Sequence, residues 1–268
     1  MKSSESLPVG NTFLGDHAGT VRDLGLATDV DGDDALIGTA VTVPEFYVPG
    51  TDVVRPSVLV TFADIVAGKF ANAKLAPSIC VTLDLDLHLV RTPAGQGFRP
   101  GDEIRCRSAV VRAGRRIVVM GFEIVSGTGE MVAFGHAGFM ASPNPEHVAP
   151  DGFGLVSADS GRWRLTVPFA ERAGIRRLDD GRVELPFVLD NINASGGLQG
   201  GVLALCAEEA VLAARPGAEL SSMSLRYLRG FRRTSAFAVA DLHGDVARVE
   251  LVNESGELGA VAVVSLRS

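Results

Sequence analysis

The sequence predicts an α+β fold made of two tandem copies of one unit, each a long helix wrapped by a curved antiparallel sheet. Three observations carry this: an internal repeat, strand-like segments that outnumber helices, and two helical runs that are apolar on nearly every face. In the repeat, Val58-Leu59 followed by Ala63-Asp64 matches Val202-Leu203 followed by Ala207-Glu208. Leu85-Asp86-Leu87-His88-Leu89 resembles Ser224-Leu225-Arg226-Tyr227-Leu228, and Gly127-Thr128-Gly129-Glu130 corresponds to Glu254-Ser255-Gly256-Glu257. Shared order, more than any single match, marks a duplicated unit.

The first copy begins with a β-branched segment, Ala35 to Tyr47, that ends at prolines. A helix is expected from Ser57 to Asn72. Strands follow at Ile79 to Val90, Glu103 to Ala113, Arg116 to Ser126 and Met131 to Met140, separated by glycine turns. The second copy repeats the order: Val183 to Leu189, a helix from Gly201 to Ala214, then Leu220 to Leu228, Ala236 to Leu242, Val246 to Asn253 and Leu258 to Leu266. The domains are expected at 1–141 and 152–268, joined by a proline-bearing linker, 142–151. Helices without a polar face are buried helices, and a sheet curled around each would bury them. Each carries one carboxylate at matching register, Asp64 and Glu208, which needs a partner or a shifted pKa to lie inside.

Composition narrows the function. The 268 residues are 46% apolar and 21% charged, with a net charge of −7, which argues against a nucleic-acid or anionic-membrane partner. No run is long and apolar enough for a membrane span, and Met1 to Asn11 lacks a secretory leader, so a cytoplasmic location is expected. Cys80, Cys106 and Cys206 read as free thiols of a reducing compartment, Cys206 as core packing. His17, His88, His136, His147 and His243 have no metal-ligand spacing, so neither metal nor cofactor is expected.

The segment Asn193-Ala194-Ser195-Gly196-Gly197-Leu198-Gln199-Gly200-Gly201-Val202-Leu203, leading to Glu208, resembles the PaaI-like hotdog thioesterases. Their pattern is an Asn, then a His- or Gln-Gly-Gly opening the helix, then an acid two turns in. Asn193, Gln199, Gly200 and Glu208 fall on those places. The resemblance implies two fused hotdog units and hydrolysis of an acyl-CoA thioester, with acyl-CoA as partner and a homo-oligomer of the fused chain open. It implies an oxyanion contact from the Gly200 N–H at the helix N-terminus, Asn193 and Gln199 holding thioester or water, and the acid as base or nucleophile.

Matching the copies places Pro49 at Asn193, Arg55 at Gln199 and Pro56 at Gly200. Proline has no N–H to donate, yet suits the first helical position. In the family each site takes its helix N-terminus from one unit and its acid from the other. By that rule Asn193, Gln199 and Gly200 join Asp64 in one working site, and Pro56 joins Glu208 in a disabled one. Glu208 replaces Asp64 if the site lies within one half.

Substrate binding is assigned to Gly201, whose missing side chain lets a carbonyl approach the helix turn, to Ser221, where the family often carries a polar helper, and to Arg226. Arg226, Arg229, Arg232 and Arg233 form a basic run that would meet coenzyme A phosphates or protect a strand edge. Glu209 reads as structural, and the glycine-rich loop lacks the parallel βαβ context of a dinucleotide site. Two other classes remain: a noncatalytic acyl-CoA-binding protein, for which Pro49 and Pro56 argue, and an enoyl-CoA hydratase, whose Asp–His loop pair is missing before either helix.

Overall fold

The computed structural model describes residues 19–90, 98–148, 155–157 and 164–267. The polar segment Met1 to Asn11, His17 and residues 149–151 of the expected linker lie outside the described residues. Strands β1 (Ala27–Val30) and β2 (Ala35–Val41) precede helix α1 (Pro56–Leu75), then β3 (Cys80–Leu89), β4 (Glu103–Ala113), β5 (Ile117–Ser126) and β6 (Met131–Ala141). A short helix α2 (Phe169–Arg172), β7 (Arg176–Arg177) and β8 (Val183–Leu185) precede helix α3 (Gly200–Ala214). Then come β9 (Leu220–Tyr227), β10 (Ala236–His243), β11 (Val246–Val252) and β12 (Leu258–Leu266).

All twelve strands form one antiparallel sheet in the order β1-β2-β4-β5-β6-β3-β9-β12-β11-β10-β8-β7. Read from the β3–β9 joint outward, the two halves have the same order, so the chain is a double hotdog with its repeat axis at that joint. Val58, Leu59, Val60, Phe62 and Ala63 of α1 are fully buried, as are Val202, Ala204, Leu205, Cys206 and Ala207 of α3. Burying each large aliphatic side chain contributes about 1.5–3 kcal/mol, which offsets the cost of the buried acids among them. The two helices also pack on each other, so each N-terminus reaches the other's middle.

The register corrects two sequence matches. Leu85, Leu87 and Leu89 face the core, as do Met223 and Leu225. Side chains alternate along a strand, so equating Leu85 with Ser224 would turn the repeat inside out. Both strands bulge, at Leu83 and Ser221, and aligning the bulges pairs Leu85 with Met223, Leu89 with Tyr227 and Thr82 with Leu220. Before the helices, Val48 N–H donates to Val53 and Asn193 N–H to Gly197, so Asn193 corresponds to Val48 rather than Pro49. The Arg55–Gln199 match stands, since Arg55 N–H bonds the Phe46 carbonyl as Gln199 N–H bonds that of Asn191. The turn match also stands: Gly129 and Gly256 both take positive φ and donate to Ser126 and Asn253.

Residues 142–148 of the expected linker are tied to β3: Ser142 N–H donates to the Ile79 carbonyl and Ile79 N–H to that of His147. Among the described residues no helix is long and apolar enough to cross a membrane.

Candidate active site

Helix α3 opens on Gln199, whose side chain does two jobs. Its Oε1 accepts from the N–H groups of Gly201 and Val202 at 2.6 and 3.2 Å, capping the helix. Its Nε2 donates to Asp64 Oδ2 at 2.8 Å, reaching into the other unit. The cap thereby leaves the Gly200 N–H as the helix-end donor without an acceptor among the described residues. The macrodipole adds partial positive charge at the same place.

Asp64 sits on α1 opposite this turn, only 8% exposed. Thr82 Oγ1 donates to its second oxygen at 2.9 Å. Burial pushes its pKa up to about 6, and the Thr82 hydrogen bond pulls the other way. Tyr227 closes one side, its hydroxyl donating to the Gly200 carbonyl at 3.1 Å. Burial, and then the charge of Asp64, hold the tyrosine in its protonated form well above the usual range. A methyl group on Gly200 would lie 2.9 Å from Asp64 Oδ2 and 3.2 Å from Tyr227 Oη. Side-chain absence there is a condition of the close approach. On Gly201 a methyl would meet Thr61 Oγ1 at 2.2 Å, so that glycine serves helix–helix packing. Burial and the Asp64 charge push the thiol of nearby Cys80 up to about 12, which holds it protonated.

The structure thus brings Asp64, Gln199, Gly200 and Gly201 together across the two units, and places other expected residues elsewhere. Asn193 was expected to hold thioester or water, but its Oδ1 accepts from Ser195 N, Ser195 Oγ and Gly197 N. It shapes the loop that delivers Gln199. Ser221 lies beyond the Ser222–His88 pair, at the opposite end of β9 from Tyr227, so it is remote from Asp64. Arg226, next to Tyr227 and so on the opposite face of the strand, is ion-paired with Asp86 at 3.0 Å. Arg229 is paired with Glu257 at 2.9 Å.

Glu208 occupies a different environment. It is fully buried and accepts from the Ser57 hydroxyl, with Arg55 Nη1 at 3.7 Å. The same guanidinium nitrogen lies 2.7 Å from Glu209 Oε1, and Arg177 reaches the other Glu209 oxygen at 3.0 Å. Burial raises the Glu208 pKa, while Arg55 opposes the rise. Here the helix opens on Pro56, Leu220 stands where Thr82 would be, and Leu89 where Tyr227 would be. Every polar partner of the Asp64 corner is replaced, and the acid is held by a buried cation.

Thr82, Tyr227 and the buried role of Arg55 escaped the sequence reading. The first two come from strands whose register sequence did not fix. An arginine at the Gln199 position beside a carboxylate pair is a signal that could have revealed the third. Among the described residues no three His, Cys, Asp or Glu side chains converge as metal ligands.

Comparison with known proteins agrees with this architecture. The model of the thioesterase superfamily matches residues 54–133, which is the copy bearing Asp64 rather than the one bearing Gln199 and Gly200. No curated protein matches. Among solved structures, the 12:0-ACP thioesterase from Umbellularia californica superposes with a TM-score of 0.63 at 12% identity, covering 89% of this chain and 99% of that one. An acyl-ACP thioesterase from Bacteroides thetaiotaomicron gives 0.58 at 15% identity, covering 86% and 98%. A tesB protein of Mycobacterium avium subspecies paratuberculosis gives 0.54 at 14%, covering 96% and 100%. At these identities the likeness is one of fold, and it spans both units together. The chain has the fold of a tandem double hotdog, and its first unit matches the thioesterase superfamily over residues 54–133.

Proposed function

We propose that the protein hydrolyses an acyl-CoA thioester at a single composite site formed by Asp64 of the first unit and Gln199–Gly200 of the second. The observation that carries this reading is the Gln199 side chain, which caps its own helix and grips Asp64 at 2.8 Å. Asp64 acts as general base: it takes a proton from water as the hydroxide adds to the thioester carbonyl. The Gly200 N–H and helix dipole stabilise the oxyanion, a donor typically worth about 10²–10³ in rate. Collapse of the adduct breaks the C–S bond and returns the proton to the thiolate. With a pKa near 6, the carboxylate is ionised at neutral pH yet remains a stronger base than an exposed aspartate. A cytosolic location suits the three free cysteines.

The test is release of free thiol from a panel of short, aromatic and long acyl-CoAs. Hydrolysis of at least one class supports the reading. Binding without release would make this a noncatalytic acyl-CoA-binding protein instead.

A further inference from the structure

The two ends of the β3–β9 joint are structurally equivalent, yet they carry opposite charge. At the Asp64 end lies the β4–β5 hairpin. Thr82 pairs with Phe139, Phe139 with Val118 and Val118 with Ala113, so the hairpin is three strand spacings, about 14 Å, from Thr82. Its exposed residues include Arg112, Arg115 and Arg116. At the Glu208 end lies the β10–β11 hairpin. Val119 pairs with Gly138 as Val246 pairs with Ser265, so Val118 and Asp245 hold the same place. By the same register Arg112 corresponds to His243, between Asp241 and Asp245, while Arg115 and Arg116 lie on the longer tip of the β4–β5 hairpin.

Most of the described arginines are ion-paired, as expected where 32 acidic residues outnumber 25 basic ones. Among the described residues Arg112, Arg115 and Arg116 have no acidic partner. Asp245, at the other end, is paired with Arg215 at 3.3 Å. The three guanidiniums line a groove of about 390 Å³ at the end of the sheet, whose walls include Ile117 and Val119. These alternate with fully buried Val118 and Met120, so the groove lies on the outer face and an arm from it reaches Asp64 over the sheet end. On the far side of the β3 start, Arg232 rests against Gly197 and lies 3.5 Å from the His147 ring, adding a further positive group to this end.

We infer that Arg112, Arg115 and Arg116 seat the phosphates of the coenzyme A nucleotide while its pantetheine arm runs to Asp64. Unpaired planar guanidiniums suit phosphate oxygens, and the apolar wall suits a purine ring. The inference rests on the thioesterase reading, which it deepens by assigning residues to the nucleotide end of the substrate.

The test compares kcat/KM for an acyl-CoA and for the acyl-pantetheine bearing the same acyl group. In R112A/R115A/R116A the acyl-CoA value should fall about tenfold or more relative to acyl-pantetheine, through KM, since charge-assisted phosphate contacts are lost. D241A/D245A, at the other end, should leave that ratio unchanged. Calorimetry with adenosine 3′,5′-bisphosphate gives a readout independent of hydrolysis: the native protein should bind it and the triple variant should not. A chain that binds the bisphosphate but cleaves no thioester would defeat the proposed activity and keep the seat. An unchanged ratio overturns the seat, as does an effect confined to an acyl-carrier-protein substrate, which would put an acidic protein there.

Discussion

Replacing Arg55 with leucine tests whether the Glu208 corner is a structural ion cluster. Arg55 is 1% exposed and Glu208 fully buried, with Glu209 only 5% exposed. The substitution removes the one buried cation facing both acids, leaving Arg177, half exposed, on Glu209 alone. Breaking a buried ion pair by deleting one partner typically costs about 3–5 kcal/mol, because the remaining charge is stranded. Partial protonation of Glu208, whose pKa is already raised by burial, would hold the loss to the lower half of that range. Urea denaturation of R55L should therefore show a loss of about 3 kcal/mol at pH 7, smaller at pH 5 where the stranded Glu208 carboxyl is more protonated. The double variant R55L/E208L should recover part of the loss, since apolar replacement of a buried pair is often close to neutral. Thiol release by folded R55L, measured well below its midpoint, should stay near native. A stability loss under about 1 kcal/mol, or abolished hydrolysis in the folded variant, would refute the structural role.

Other consequences follow from the Asp64 corner. Hydrolysis should rise with pH through about 6 as Asp64 ionises, and Thr82→Val should move that limb to higher pH, because it deletes the bond that favours the charged form. The raised pKa also means that the charged carboxylate opposes folding: this cost is absent below pH 4, grows as pH rises to about 6 and is constant above that. Asp64→Asn should accordingly stabilise the fold at pH 8 by up to about 3 kcal/mol relative to pH 4, measured by denaturant midpoints at both pH values. Gly200→Ala should reduce hydrolysis at least tenfold while the fold persists, since its methyl meets Asp64 and Tyr227 rather than backbone. Gly201→Ala should instead destabilise by about 1–3 kcal/mol or more, because its methyl overlaps Thr61 on the packed partner helix.

Much of the fold was legible because its signals are local. Helices without a polar face announced burial, and the observed Pro56–Leu75 and Gly200–Ala214 lie within a few residues of the expected spans. Strands Glu103–Ala113 and Leu258–Leu266 match their expected bounds, since glycine turns frame them. The first strand of each half was harder: β1 and β7 are short edge strands with little alternation to read. Register was the main casualty. Matching Leu85 to Ser224 ignored the bulges at Leu83 and Ser221, so neither Thr82 nor Tyr227 could be placed beside Asp64. Asp64 and Gln199 were legible as a pair only through the resemblance, because 135 residues separate them. Arg226 looked like a phosphate contact in sequence, but it spends its charge on Asp86 across the joint.

The most direct measurement is the acyl-CoA hydrolysis rate of Asp64→Asn beside that of Glu208→Gln, each checked for folding and assayed at pH 7.5. The account predicts a loss of at least 10²-fold for Asp64→Asn, as for other essential acid–base groups, and near-native turnover for folded Glu208→Gln. Equal losses in both, or a loss confined to Glu208→Gln, would contradict the single composite site.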